Sequence, residues 1–139
     1  MVMNSHQYAF DARLEHRAAG SAALTATTTI GTVNQKAETR TPAITTIRLE
    51  TCKVSAGDES YIFLWEVSND AFSNTECAAI LELGHSSVRT GSTGSSAAGD
   101  EYQVPFVTEV NGVSYKSWRI RMVAAGTSPS ISFSCNTAK

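Results

Sequence analysis

The chain has 139 residues, of which 42% are apolar and 17% charged, with 17 serines and 16 threonines. Eleven Lys and Arg against thirteen Asp and Glu leave a net charge of −2 with no basic run, which speaks against a nucleic-acid or anionic-membrane footprint. A chain this long buries roughly 68% of its unfolded surface, enough for one domain with its own core. No apolar stretch approaches the roughly 20 residues of a membrane-spanning helix, and the missing sequence of basic n-region and apolar h-region predicts no signal peptide.

Residues 1–21 read as an N-terminal arm and residues 22–139 as a β-sandwich domain. In the arm, Tyr8, Phe10 and Leu14 stand among Asp11, Arg13, Glu15, His16 and Arg17. Asp11 to Ala19 suit a short helix stopped by Gly20. Its apolar stripe is too short to hold the helix without a partner surface. Tyr8, Phe10, Leu14 and Arg17 are therefore the candidate partner-contacting residues.

From Leu24 onward the period is two. Leu24, Ala26, Thr28 and Ile30 share one face of a Thr-rich strand. After Pro42, Ile47 and Leu49 alternate with Thr46, Arg48 and Glu50, and Ala56-Gly57-Asp58 signals a turn. Tyr61, Phe63, Trp65 and Val67 then share one face, with Ile62 and Leu64 on the other. Apolar residues on both faces predict a central strand covered on both sides.

Ser68-Asn69-Asp70 breaks that strand. Cys77, Ala79, Leu81 and Leu83 line the next, which ends at Gly84. The stretch 89–100, RTGSTGSSAAGD, is a loop. Tyr102, Val104 and Phe106 alternate again, and Pro105 among them points to a sheet edge or a bulge.

Asn111-Gly112 between β-favouring runs is a type I′ hairpin turn. Trp118, Ile120, Met122 and Ala124 follow on one face, opposite Arg119 and Arg121. After the turn at 125–129, Ile131, Phe133 and Cys135 alternate with serines. The count is seven or eight strands with no interior helix: an all-β, antiparallel β-sandwich or jelly roll.

No catalytic, cofactor-binding or metal-binding constellation emerges. Cys52, Cys77 and Cys135 are odd in number and form no CxxC pair, so they are expected to be reduced, buried and core-filling. The three histidines make no HExxH or HxH pair, GxSxG is absent, and TGSTGSS lacks the GK[ST] ending of a phosphate cradle. Asp58-Glu59 and Asp100-Glu101 read as solvated charges beside turns. Glu66, an acid in the most apolar strand, is expected to pair with Arg119 or Arg121, and both tryptophans are in phase with the core.

Four motifs occur in order: Val67-Ser68-Asn69-Asp70-Ala71-Phe72-Ser73, Tyr102-Gln103-Val104-Pro105, Tyr115-Lys116-Ser117-Trp118-Arg119-Ile120-Arg121 and Gly126-Thr127-Ser128-Pro129-Ser130-Ile131. This order resembles the jelly-roll kind of capsid cement (decoration) protein of tailed phages. Such proteins carry a strand ending in a VSxDxAFS turn, a "Y.LP"-like strand, a "YLRL"-like strand and a "GTxPT"-like turn. The resemblance spans residues 62–134. Gln103-Val104-Pro105-Phe106 and Ser117-Trp118 depart from it, and the Gly/Ser loop is an insertion.

The resemblance implies a non-enzymatic virion protein on the outer surface of the capsid, made in the host cytoplasm. Its partners would be the major capsid protein and copies of itself, a dimer being favoured over a trimer, with no nucleic acid, membrane or cofactor. The alternative is a carbohydrate- or receptor-binding β-sandwich of a phage tail or fibre.

Overall fold

The computed structural model describes residues 14–91 and 94–139, so Tyr8 and Phe10 lie outside the described residues. Its strands are β1 (Glu15–Arg17), β2 (Thr28–Asn34), β3 (Pro42–Cys52), β4 (Ser60–Ser68), β5 (Glu76–Gly84), β6 (Glu101–Val107), β7 (Glu109–Val110), β8 (Val113–Ser114), β9 (Ser117–Ala125) and β10 (Ile131–Ala138). Four antiparallel pairings, β1 with β10, β2 with β9, β3 with β6 and β4 with β5, make one long two-stranded ribbon. Rolling that ribbon until β10 also pairs with β3, and β9 with β4, closes two four-stranded sheets. Sheet A runs β1-β10-β3-β6 and sheet B runs β2-β9-β4-β5. That order is a jelly roll, as the alternating pattern predicts.

The period-two faces meet between the sheets. Tyr61, Phe63, Trp65, Val67, Ile120 and Met122 of sheet B and Ile47, Leu49, Phe133 and Cys135 of sheet A are all buried. Phe63 meets Phe133 edge-on at 5.1 Å, and Phe106 meets Trp118 at 4.9 Å. Each large side chain removed from water here contributes about 1.5–3 kcal/mol. Both tryptophans are core residues, and Trp65 satisfies its indole by donating to Thr45 Oγ1 at 2.9 Å.

The turns follow local chemistry. Asn111 and Gly112 have φ of 53° and 79°, with Val110 facing Val113, the geometry a type I′ hairpin requires. Pro105 lies in β6, the edge of sheet A, where its missing N–H costs no ladder bond. At one end of the sandwich three turns converge on Asp58-Glu59: a Cβ on Gly84 would come 2.3 Å from the Glu59 carbonyl, and one on Gly126 would come 2.5 Å from that of Asp58. Only glycine permits that approach.

Several expectations need correction. Glu15–Arg17, read as part of a helix, form a strand paired with β10. The second strand begins at Thr28, not Leu24, which makes a single bridge to Ile131. Cys77 is exposed and Cys52 half-buried, so only Cys135 fills the core; all three thiols are free. The cause at Cys77 is a bulge: Trp65 pairs with Ala79 but Glu66 pairs with Cys77, so Ala78 is the extra residue and Cys77 moves to the outer face. Glu59 is not solvated but fully buried, its carboxylate accepting the Ala56 and Gly57 N–H groups. Its neighbour Asp58 accepts from the N–H and hydroxyl of Thr127, which hold its carboxyl below the usual range.

Candidate functional site

Of the four candidate contact residues, the structure places two, Leu14 and Arg17, and both are used within the fold. Leu14 is buried and its carbonyl accepts the Thr137 N–H at 3.1 Å. Glu15 pairs with Asn136 and Arg17 with Cys135, so the irregularity at His16 turns both His16 and Arg17 toward the open side of the sandwich. The Arg17 guanidinium lies 5.0 Å over the Phe133 ring, and its Nε donates to the Phe133 carbonyl at 3.0 Å and its Nη2 to the carbonyl of Ala22. A cation over an aromatic face, with its donors satisfied by carbonyls, is a plug rather than a free hook.

His16 completes this plug. Its ring meets Trp118 edge-on at 5.4 Å, and Nε2 lies 2.9 Å from Thr137 Oγ1. Thr137 continues to Thr45 at 2.8 Å, and Thr45 accepts from Trp65. With Trp65 fixed as donor, the chain runs best with Thr137 donating to an unprotonated Nε2. Burial lowers the His16 pKa below its ordinary 6.5, which agrees with a neutral ring. Gly31 of β2 makes the space, since a Cβ there would come 2.4 Å from Nδ1. Sequence periodicity does not announce this contact because its members are 121 residues apart.

The outer face of sheet B is the second feature. Glu66 lies 2.8 Å from Arg119 Nε and 3.4 Å from Arg121 Nε, so the acid pairs with both expected arginines. Arg119 also covers the Phe72 ring at 4.5 Å. Beside this cluster Ile62, Leu64 and Val123 are half-buried and Ile80 is 55% exposed. The second apolar face of β4 read from the sequence is therefore present, and none of the described residues covers it.

The surface of the described residues carries several depressions. A cleft of about 170 Å³ is lined by Asn69, Asp70, Asn74, Thr75, Glu76 and Tyr115. Its polar groups serve their own loop: Asn69 donates to the Ser114 carbonyl and accepts from Lys116 N–H, while Asp70 accepts from Ser68 and Asn74, which lowers its pKa to about 2. An apolar groove of about 420 Å³ follows Pro42, Ile44, Pro105 and Ala138 at the end of sheet A. A third, of about 440 Å³, runs past Arg48 and Glu50.

Reactive chemistry is not assembled among the described residues. Burial pushes the Cys52 thiol up to about 11 and Cys135 to about 12, away from the thiolate a nucleophile needs. His85 Nδ1 lies 2.8 Å from Ser87 Oγ, but that hydroxyl donates to the Gly57 carbonyl at 2.7 Å, so the ring is not acting as its base. No group of three metal-ligating side chains occurs among the described residues. No family model matches the chain, and neither a curated protein nor a solved structure matches it.

Proposed function

We propose that this chain is a virion structural protein, a cement or decoration protein that binds the outer surface of a tailed-phage capsid and braces adjacent major capsid subunits. One observation supports it most: the four motifs of the resemblance fall on jelly-roll elements in the roles they would have there. Val67–Ser73 closes β4 and turns, Tyr102–Pro105 lies in β6, Tyr115–Arg121 leads into and forms most of β9, and Gly126–Ile131 turns into β10. The first turn is specific. Ala71 and Phe72 take φ of 57° and 65°, unfavourable for residues with a Cβ. They are held by Ser68 Oγ, which accepts the Phe72 N–H, and by Asp70, which accepts the Asn74 N–H.

Many modest contacts repeated around a shell suit such a domain. Tyr8 and Phe10, in the part of the arm before β1, are the residues assigned to the capsid or to another copy. The protein would work as a homo-oligomer, without cofactor, nucleic acid or membrane.

The test is co-sedimentation of the purified full chain with expanded tailed-phage heads that lack it, beside a chain lacking residues 1–13. Binding by the full chain, weakened about tenfold or more by the truncation, is the expected result. Equal binding by both chains moves the contact to the sandwich. A full chain that stays in the supernatant overturns the reading. The alternative, a glycan- or receptor-binding sandwich of a tail fibre, draws on the cleft beside Tyr115. The commitment of Asn69 and Asp70 to their own loop weighs against it, and a glycan array reads it directly.

A further inference from the structure

The outer face of sheet B complements itself. β4 runs down the middle with Leu64 and Ile62; β9 flanks it with Arg121 and Val123, and β5 with Ile80 and Glu82. In one row Leu64 lies between Arg121 and Ile80, and in the next Ile62 lies between Val123 and Glu82. The centre is apolar, one flank is cationic and the other ends in Glu82, whose Oε2 accepts the Thr90 N–H at 3.1 Å and keeps its negative charge at the flank. Glu66 brings one negative charge to two arginines: it hydrogen-bonds Arg119 at 2.8 Å and lies in ion-pair range of Arg121 at 3.4 Å, where Nε makes no hydrogen bond and the side chain stays 38% exposed.

Turned over about a two-fold axis along β4, a second copy lays its β5 above this β9. Apolar centre then meets apolar centre, and Arg121 faces the Glu82 side of the other copy, twice by symmetry. With strands about 4.8 Å apart and two-residue repeats of about 6.8 Å, the two charges are one row apart, within reach of an arginine side chain. Pairing through the free edge of β5 is blunted instead, because Arg89 Nε donates to the outward Glu82 carbonyl at 3.2 Å. We propose that this face is the interface of a two-fold symmetric homodimer, with Ile62, Leu64, Ile80 and Val123 at its centre and reciprocal Arg121–Glu82 ion pairs at its flanks.

Three strands of this length span about 30 Å by 15 Å, less than the usual area per partner of a stable complex, so the dimer is a weak one. The proposal deepens the homo-oligomer of the proposed function by naming the face that forms it, and it does not require capsid binding.

Sedimentation velocity of the full chain over about 1–300 µM, a range suited to a weak interface, tests the assignment. The unmodified protein should pass from monomer to dimer, and Ile80→Arg, at an exposed position, should remain monomeric. Arg121→Glu and Glu82→Arg should each weaken association about tenfold or more, and the two together should recover most of it, because the reversed pair is again complementary. Cooperative melts confirm that each variant folds; should Arg121→Glu fail, Glu82→Arg and Ile80→Arg still decide. A full chain monomeric at the highest concentration, a dimer indifferent to Ile80→Arg, or a double variant no better than its parents overturns the dimer. If the full chain is monomeric and Ile80→Arg abolishes binding to heads, the face belongs to the capsid and the dimer is wrong. A dimer that never binds heads sinks the capsid reading alone.

Discussion

Sheet A turns Thr46, Arg48, Ser134, Asn136, Gln103 and Glu101 to its outer side and keeps Ile44, Pro105 and Ala138 to one end of it, whereas sheet B turns Ile62, Leu64, Ile80 and Val123 to the middle of the corresponding one. Both sheets have inner faces of equal quality, since Ile47 and Phe133 are as fully buried as Phe63 and Ile120. The difference therefore lies in what each sheet needs from outside. β3 and β10 alternate between core and water, the usual arrangement of a sheet with one solvated face. β4 is apolar on both sides, and among the described residues its outer side is flanked by the side chains of β5 and β9. Charge is distributed differently too. Sheet A closes its open side with one cation, Arg17, beside His16 and neutral hydroxyls, while sheet B gathers Glu66, Arg119 and Arg121 on its surface.

The largest expected effect breaks sheet A at its edge. Removing residues 1–21 strips β1, exposing the surfaces covered by Leu14 and Arg17, and should lower stability by about 3–5 kcal/mol. Removing residues 1–13 should leave the unfolding free energy measured in urea within about 0.5 kcal/mol of the parent. Equal midpoints for the two truncations would show that β1 contributes nothing to the sandwich.

A smaller effect belongs to sheet B. Glu66→Ala leaves two arginines facing each other without their shared acid, at side-chain exposures of 25% and 38%. It should cost about 1–3 kcal/mol, whereas Gln103→Ala on the outer face of sheet A should cost under about 0.5 kcal/mol. Chemical denaturation of both variants measures the contrast, and similar losses would remove it.

The smallest effect depends on pH. Because burial lowers the folded pKa of His16 below 6.5, the unfolded chain takes up the proton first as pH falls. The stability linked to His16 is complete above 6.5, declines as pH drops below that value, and is lost once pH passes the folded pKa. Asp58 and Asp70, with lowered carboxyl values, contribute their own loss only in the more acidic carboxylate range. His16→Gln should flatten the pH dependence just below 6.5 and leave the acid limb unchanged. A parallel pair of melting curves across that window would mean that His16 is not what titrates.

Much of this molecule was legible as a string of residues. The faces of β3, β4, β9 and β10, the Asn111-Gly112 hairpin and the edge position of Pro105 all follow from rules acting over two to four residues. Glu66 was legible for a related reason, because an acid amid an apolar strand needs a partner and the arginines of Trp118-Arg119-Ile120-Arg121 alternate at the matching period. Misreadings gather where a local rule was overruled. Cys77 was in phase with Leu81 until the bulge at Ala78 shifted it, and Glu59 resembled a surface acid until the turn folded its N–H groups around the carboxylate.

The sequence by itself therefore determined most of the strands (seven or eight of the ten), their inner faces and the all-β class, because side-chain alternation is built into the extended backbone. Only the tertiary structure decided that Glu15–Arg17 is a strand rather than part of a helix. Three residues cannot form a stable element alone, and these are held by Thr137, Phe133, Trp118 and Gly31, which come from distant parts of the chain. It also decided where an apolar patch gathers on the middle of sheet B, since rolling the ribbon places Ile62, Leu64, Ile80 and Val123 side by side from three separate strands.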